Sequence, residues 1–439
     1  MLKRILFIII LIVIVIGFGV IFSTNHIKQQ GIEPLKSLVT INNAMSTETL
    51  INKAQKAIED NNYDAFTLKY GFGYYDGSIP MGDITKITLT DKHPSNYDEK
   101  WPANLIGTDD ITGYLIGTEV HIVGQKIYAN EHTGYMFAGS NAYGEALWKN
   151  LTTIEGLENL DTSRTSTFDK MFYGNPYITE LDLNSWNMSN ATSLSFMFAF
   201  CNNLETIHID RWDVSNVENF SAMFQGSDWI GDMKLKNIDV SKWDTQSAIT
   251  MNHMFYGCSE LTTIDVSKWN VQNVTTFSHM FADCHSLKHI DLTNWKTYQV
   301  ASLDAMFNDC YSLITIDVSN LKTSTCKQFS QLFEDCCNLQ EIVGIETLDT
   351  SNATTNAFSE MFKGCLSLTS LDLSQWDVTK ADNMARMFAY CPSLIDLNIT
   401  GWDVTNVKFV TEMFYASNNI KIQGIQDLDF THAKDYCLM

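Results

Sequence analysis

The chain has 439 residues, 45% of them apolar and 12% aromatic, which is enough to bury more than one ordinary core and excludes a disordered protein. Its 51 acidic residues outnumber 29 basic ones, for a formal charge of −22. A phosphate-binding surface needs clustered Lys and Arg, so nucleic acid is excluded as a partner.

At the start, Lys3 and Arg4 precede the uncharged apolar run Ile5–Phe22. Eighteen apolar residues suffice to span a bilayer. Basic residues on the N-terminal side favour a cytoplasmic N-terminus with the rest of the chain outside. A cleaved signal peptide is the alternative, but its apolar region usually runs to about 7–15 residues, and Ile21-Phe22-Ser23-Thr24 matches a cleavage site poorly. Residues 1–24 are therefore expected to be a transmembrane signal anchor. The localisation that follows is the cell membrane, single-pass, with the remaining chain extracellular, or secreted if the segment is cleaved.

Residues 25–79 are expected to form a stalk or helical linker, with Leu50, Ile51, Ala54, Ala57 and Ile58 on one helical face of Ser46–Asp60. Residues 80–134 are expected to be a small β-containing cap. There Asp83–Leu89, Val120–Val123 and Lys126–Tyr128 read as strands.

From residue 135 to 439 the chain repeats. Met-Phe, or once Leu-Phe, begins at Met136, Met171, Met197, Met223, Met254, Met280, Met306, Leu332, Met361, Met387 and Met413, and seven of the ten intervals are 26 residues. Such a period marks a stack of like units. Eleven residues before Met-Phe stands Trp186, Trp212, Trp243, Trp269, Trp295, Trp376 or Trp402.

Within one unit, Ile264-Asp265-Val266 alternates as a short strand and Ser267–Val271 reads as a turn with its Trp folded back as a plug. Val274, Phe277, Met280, Phe281 and Cys284 then fall on one helical face. The expected fold is an α/β repeat solenoid, leucine-rich-repeat-like, with a short strand, a turn and a short helix per unit. Units of this kind cover their apolar faces only by stacking on one another. Gly156, Gly344 and Gly424, in variant units with an added residue, are expected to mark bulged rungs that bend the stack.

The run Ile264-Asp-Val-Ser-Lys-Trp-Asn-Val-Gln-Asn-Val-Thr-Thr-Phe-Ser-His-Met-Phe-Ala-Asp-Cys-His-Ser-Leu287 resembles the repeat of BspA-like leucine-rich-repeat surface proteins of bacteria. Ile84–Leu89, Lys126–Asn130 and Ile154–Ser163 are similar to the same family's N-terminal region, so the resemblance covers about residues 80 to 439. It implies a surface location and attachment to host molecules, other bacteria or matrix, without naming a ligand. The chain departs from familiar members in showing no C-terminal wall-sorting signal, which moves the expected anchoring to Ile5–Phe22.

Seven cysteines (Cys201, Cys258, Cys284, Cys310, Cys336, Cys365 and Cys391) stand four residues after the Met, and such a column of equivalents reads as buried thiols rather than as a disulfide framework. No Cys-x-x-Cys accompanies them, which argues against metal. Cys326 reads as core, whereas Cys337 and Cys437 fall at polar positions and are the expected reactive thiols.

Asp210, Asp239, Asp265, Asp291, Asp317 and Asp372 recur between apolar strand residues and so face outward. Each is expected to bond local backbone and meet Lys268, Lys242 or Arg211; the functional alternative is an acidic stripe that recruits a basic partner or a divalent cation. The Trp and Met-Phe columns read as packing, and Trp101, Trp148 and Trp229 outside them as surface candidates. The possible binding surface is thus the Asp stripe with Trp229, in the insertion 228–232, and the cap.

Catalytic signatures are missing: no Gly-x-Ser-x-Gly, no His-Glu-x-x-His, and Gly71–Gly77 has the wrong spacing for a dinucleotide turn. The expected function is a non-enzymatic cell-surface binding or adhesion protein, without cofactor, whose partner is a host or bacterial surface protein or glycan. A self-assembling envelope component is the alternative, and a wall hydrolase with its site in residues 25–150 ranks third.

Overall fold

The computed structural model describes residues 81–103, 110–140, 147–226, 231–431 and 433. The apolar run Ile5–Phe22, the stalk, Trp229 and Cys437 lie outside the described residues. No described helix is long and apolar enough to cross a membrane.

The cap is a mixed sheet. Its strands are β1 (Lys86–Thr90), β2 (Glu99–Pro102), β3 (Ile111–Ile116) and β4 (Glu119–Gly124), followed by the short β5 (Ile127–Tyr128). Along β1, Ile87 and Leu89 are buried between half-buried polar neighbours, the pattern that made it legible as a strand. β2 and β3, which alternation did not reveal, pair antiparallel, and β3 does the same with β4. Trp101 of β2 lies flat over Gly113 of β3, where an added Cβ would come within 2.2 Å of the indole. β1 then pairs in parallel with β4 on one side and with β6 (Thr153–Glu155), the first rung, on the other. The cap thereby covers the edge that the first rung would otherwise expose.

Three hydrogen-bonded lines run along the array. The first is the strand line: β5 pairs β7 (Leu160–Asp161), β8 (Glu180–Asp182) pairs β9 (Thr206–His208), and β10 (Thr315–Asp317) pairs β11 (Glu341–Val343). β12 (Ser370–Asp372), β13 (Asp396–Asn398) and β14 (Lys421–Gln423) form a three-stranded run. All are parallel and in register. Ile264–Val266, expected as a strand, is not part of a regular one. A second line of single parallel bridges ties the rungs there, running from His132 through Thr167, Ser193, Asn219, Thr250, Thr276 and Ser302 to Gln328.

The third line corrects the expected helix. Residues 278–283 form consecutive turns, and no α-helix occurs among the described residues. His279, before the Met, and Asp283, three after it, both have left-handed backbone, at φ 56° and 59°. An α-helix cannot pass through that region. Alternate N–H groups leave the unit: Phe277, His279, Phe281 and Asp283 donate to carbonyls of Ser302, Asp304, Met306 and Asn308 in the next rung. Met280, Ala282 and Cys284 close three-residue turns on Phe277, His279 and Phe281. The apolar spacing mimics a helical face, but the backbone bonds run between units.

The glycine-bearing rungs also differ from expectation. Gly156, Gly344 and Gly424 are left-handed and open 3-10 turns at Leu157–Asn159, Ile345–Thr347 and Ile425–Asp427, so they are corners rather than β-bulges.

The interior is one continuous apolar cluster from Ile84 to Ala433. Its axis is a file of phenylalanines from Phe137 to Phe414, each ring nearly parallel to the next at centroid distances of 5.2 to 6.1 Å. Offset stacking of this kind adds about 0.5–1.5 kcal/mol per pair beyond area burial.

Candidate functional site

Two columns that tempt a functional reading are joinery. The Trp indole N–H of each unit donates to a carbonyl of the preceding one, as from Trp212 to Leu183 at 2.8 Å and from Trp295 to Val266 at 3.1 Å. The column thiols do the same toward the preceding Phe carbonyl, as from Cys284 to Phe255 at 3.3 Å and from Cys391 to Phe362 at 3.0 Å. Ser417 donates to Phe388 at 2.7 Å, and Asn175 to Phe137, at the same step of the repeat. The position therefore calls for a small buried donor, which is why Cys, Ser and Asn interchange there. Burial pushes the Cys201 and Cys391 thiols up to about 12. They are held as unreactive thiols, and the nine described cysteines are all free.

One further expectation changes. Trp148 is buried and donates its indole N–H to Met136 O at 3.0 Å, so it is not a surface residue. Cys337 is half-buried, and burial together with Asp335 and Asp309 raises its thiol. It is still the most accessible of the described cysteines, the other eight being buried.

The six strand-side aspartates do face outward, and five of them bond locally. Asp265 Oδ1 accepts from Ser267 N–H at 3.1 Å and from its hydroxyl at 2.6 Å. Asp239, Asp291, Asp317 and Asp372 accept in the same way from Ser241, Thr293, Ser319 and Ser374. These bonds hold the carboxyls of Asp239, Asp265, Asp317 and Asp372 below the usual carboxylate range. Asp210 instead accepts from Asn184 Nδ2 of the preceding unit at 2.7 Å and meets Lys242 at 3.9 Å. Asp210, Asp239 and Asp265 line one open groove of about 520 Å³ with His208; Asp291, Asp317 and Asp372 lie elsewhere along the stack. Among the described residues, no group of three or more His, Cys, Asp or Glu could hold a metal ion.

The turn side presents a strip that alternation did not single out. Its members are the left-handed residue before each Met, the residues two and three after it, and the residue following the column cysteine. At the N-terminal end the strip is aromatic: Tyr135, Tyr173 and Phe200 meet edge to face, and Lys170 lies over the rings of Tyr135 and Phe196. In the middle Asp283, Asp309 and Asp335 occupy one column on successive rungs. His285 stacks on Tyr311 at 4.6 Å and reaches Asp283 at 3.5 Å and Asp232 at 3.9 Å. Burial, then the carboxylates of Asp283 and Asp335, push the Asp309 carboxyl up, and burial together with Glu360 pushes Asp335 up.

Towards the C-terminal end the charges alternate and cancel. Lys363 meets Glu334 and Glu360, and Arg386 meets Glu360 at 3.3 Å and Glu412 at 2.7 Å. Tyr311, Leu366, Tyr390 and Tyr415 stand exposed along the strip. A signal was present in the sequence: Gly174, Gly257 and Gly364 share the column of Asp283, Asp309 and Asp335, and Gly exchanging with Asp marks a left-handed backbone.

No functionally curated protein matches the chain. Solved structures that are similar to it include two described as leucine-rich repeat proteins. One from Eubacterium ventriosum is 14% identical over 76% of this chain and 97% of its own, with a TM-score of 0.31. One from Bacteroides ovatus is 13% identical over 78% and 86%, with a TM-score of 0.19. The functional domain of InlJ from Listeria monocytogenes, described as including a cysteine ladder, is 14% identical over 70% and 72%, with a TM-score of 0.16. A family model matches three overlapping stretches, residues 135–233, 227–343 and 311–428, which together span most of the array. The chain belongs to that family, described as Mycoplasma protein of unknown function, DUF285.

Proposed function

We propose that the chain is a cell-surface binding protein of the BspA-like kind, held to the membrane by Ile5–Phe22, whose array contacts a host or bacterial surface protein or glycan along its turn-side strip. The observation that carries this reading is a contrast in composition. The Phe column keeps one residue type along the stack and the thiol column only small buried donors, while the strip passes from aromatic to acidic to mixed charge. A fixed frame with a changing outer face is what partner recognition on a solenoid requires. Adhesion to cells or matrix is the form of binding that the sequence resemblance favours.

Capture on the soluble fragment 26–439 of host proteins and glycans, compared with the same fragment carrying D283N, D309N, D335N and Y311A, tests the site. Binding that survives all four substitutions argues against the strip. Trypsin treatment of intact cells tests the topology, since an array epitope outside the membrane is removed and one inside is protected. The outer position of β14 in its sheet, with Ile425 exposed beside it, favours self-assembly as a second reading. Light scattering of the fragment separates the two, because a strict monomer excludes assembly.

A further inference from the structure

The strip contains one contact between rungs that ordinary packing does not account for. His253 and His279, each in the left-handed position before a Met, stack face to face with centroids 4.7 Å apart and planes within 4°. The same position holds Ala222 on the rung before and Ala305 on the rung after, so the stack is two rings and no more. Tyr256 meets both rings at its edge, 5.6 Å from His253 and 6.2 Å from His279.

The polar surroundings of the two rings differ. Asn252 Nδ2 lies 3.2 Å from His253 Nδ1. His279 Nδ1 is buried without a hydrogen-bond partner, with Asp304 Oδ2 4.0 Å away. The titratable side chains facing the pair are thus Tyr256 from the rung of His253 and Asp304 from the rung after His279. One carboxyl, itself pushed up by burial and drawn back by His279, faces two imidazoles.

We propose that the His253–His279 pair is an acid-sensitive joint in the array: neutral rings clamp two adjacent rungs, and protonation of both drives those rungs apart locally. Neutral imidazoles stack readily, whereas two imidazolium rings in this geometry place like charges face to face in a partly dry site. The backbone bonds at risk are short and specific, from His253 N–H to Ser278 O and from His279 N–H to Asp304 O, both at 2.9 Å. Burial, and then the neighbouring His279, hold His253 down at about 4. The folded rung therefore binds fewer protons than the unfolded chain between that value and the ordinary 6.5, and the joint weakens as pH falls through this window. Asp309 and Asp335, whose carboxyls are pushed up, respond in the opposite sense over part of the same range. Local rather than global opening is the readout that isolates the joint.

Hydrogen exchange of the full chain at pH 7 and pH 4.5, corrected for the intrinsic rate, tests this without any partner. Residues 250–284 should exchange about ten-fold faster at the lower pH, while the equivalent rungs around Glu360 and Arg386 change less than about two-fold. The variant H253N/H279N, with Asn suited to left-handed backbone, should lose the acceleration. Equal acceleration in both regions, none in the native chain, or acceleration that persists in the variant would each overturn the proposal. If the double variant does not fold, H279N alone serves: the NMR titration midpoint of His253 should rise, and an unchanged midpoint counts against the pair.

Discussion

Aspartates stand on two sides of the same stack, and their circumstances are opposite. On the strand side Asp239, Asp265, Asp317 and Asp372 each accept a backbone N–H two residues on, and their carboxyls are held below the usual range. On the turn side Asp309 and Asp335 share a column with Asp283 and are pushed above it by burial and neighbouring carboxylates. The difference shows that periodicity alone does not identify a binding stripe. A charge that closes its own turn is part of the scaffold. A charge crowded by its own kind, offset only in part by His285 beside Asp283 and by Lys363 near Asp335, is left for something outside the rung to neutralise.

The comparison rests on the interior being the same beneath both sides, and the largest predicted effect tests that premise. Phe281→Ala, at the centre of the ring file, should destabilise the array by about 3–5 kcal/mol in chemical denaturation. A cost under about 1 kcal/mol would mean that the file does not support the rungs. Trp295→Phe keeps most of the ring and removes the indole donor to Val266 O, which keeps the backbone N–H of Trp269, for an expected loss of about 0.5–1.5 kcal/mol.

Smaller changes act on the two sides directly. Asp265→Ala removes both bonds from Ser267 and should cost about 1 kcal/mol, the worth of an exposed local cap. Asp309→Asn should have the opposite sign, stabilising by about 0.2–1 kcal/mol as like charges on neighbouring rungs are relieved. The pH dependence follows the same division. The strand-side carboxyls have lowered values, so their contribution is present above the ordinary carboxylate value and is lost only as pH falls through their depressed ones. The turn-side carboxyls have raised values, so their penalty is present at neutral pH and is relieved as pH falls through them. Urea melts of D309N and the native chain should therefore converge toward acid pH.

Much of this was legible in the residues. The Met-Phe phase placed the core columns, the equivalence of Cys201 through Cys391 marked them as packing, and the alternation at Ile264–Val266 put Asp265 outward. What was not legible has a common cause. His279, Gln331 and Arg386 stand in left-handed backbone although each is an ordinary helix or strand residue by propensity, so the hydrophobic spacing of the turns passed for a helix. The alternative bonding, every second N–H reaching into the next unit, is a property of the stack and exists in no single unit. Trp148 misled for a similar reason: its partner, Met136 O, lies outside the periodic Trp column.

The contrast between the two sides is the claim on which the proposed surface depends, and a pair of matched triple variants tests it most directly. Chemical denaturation at neutral pH and low salt should show D283N/D309N/D335N more stable than the native chain and D239N/D265N/D317N less stable, with the gap on the turn side shrinking as salt is added. Asn fits the left-handed backbone of the first set, and Asn398 already closes a strand-side turn on Thr400 N–H at 3.2 Å, so neither set strains the fold. Shifts of the same sign in both triples would contradict the account.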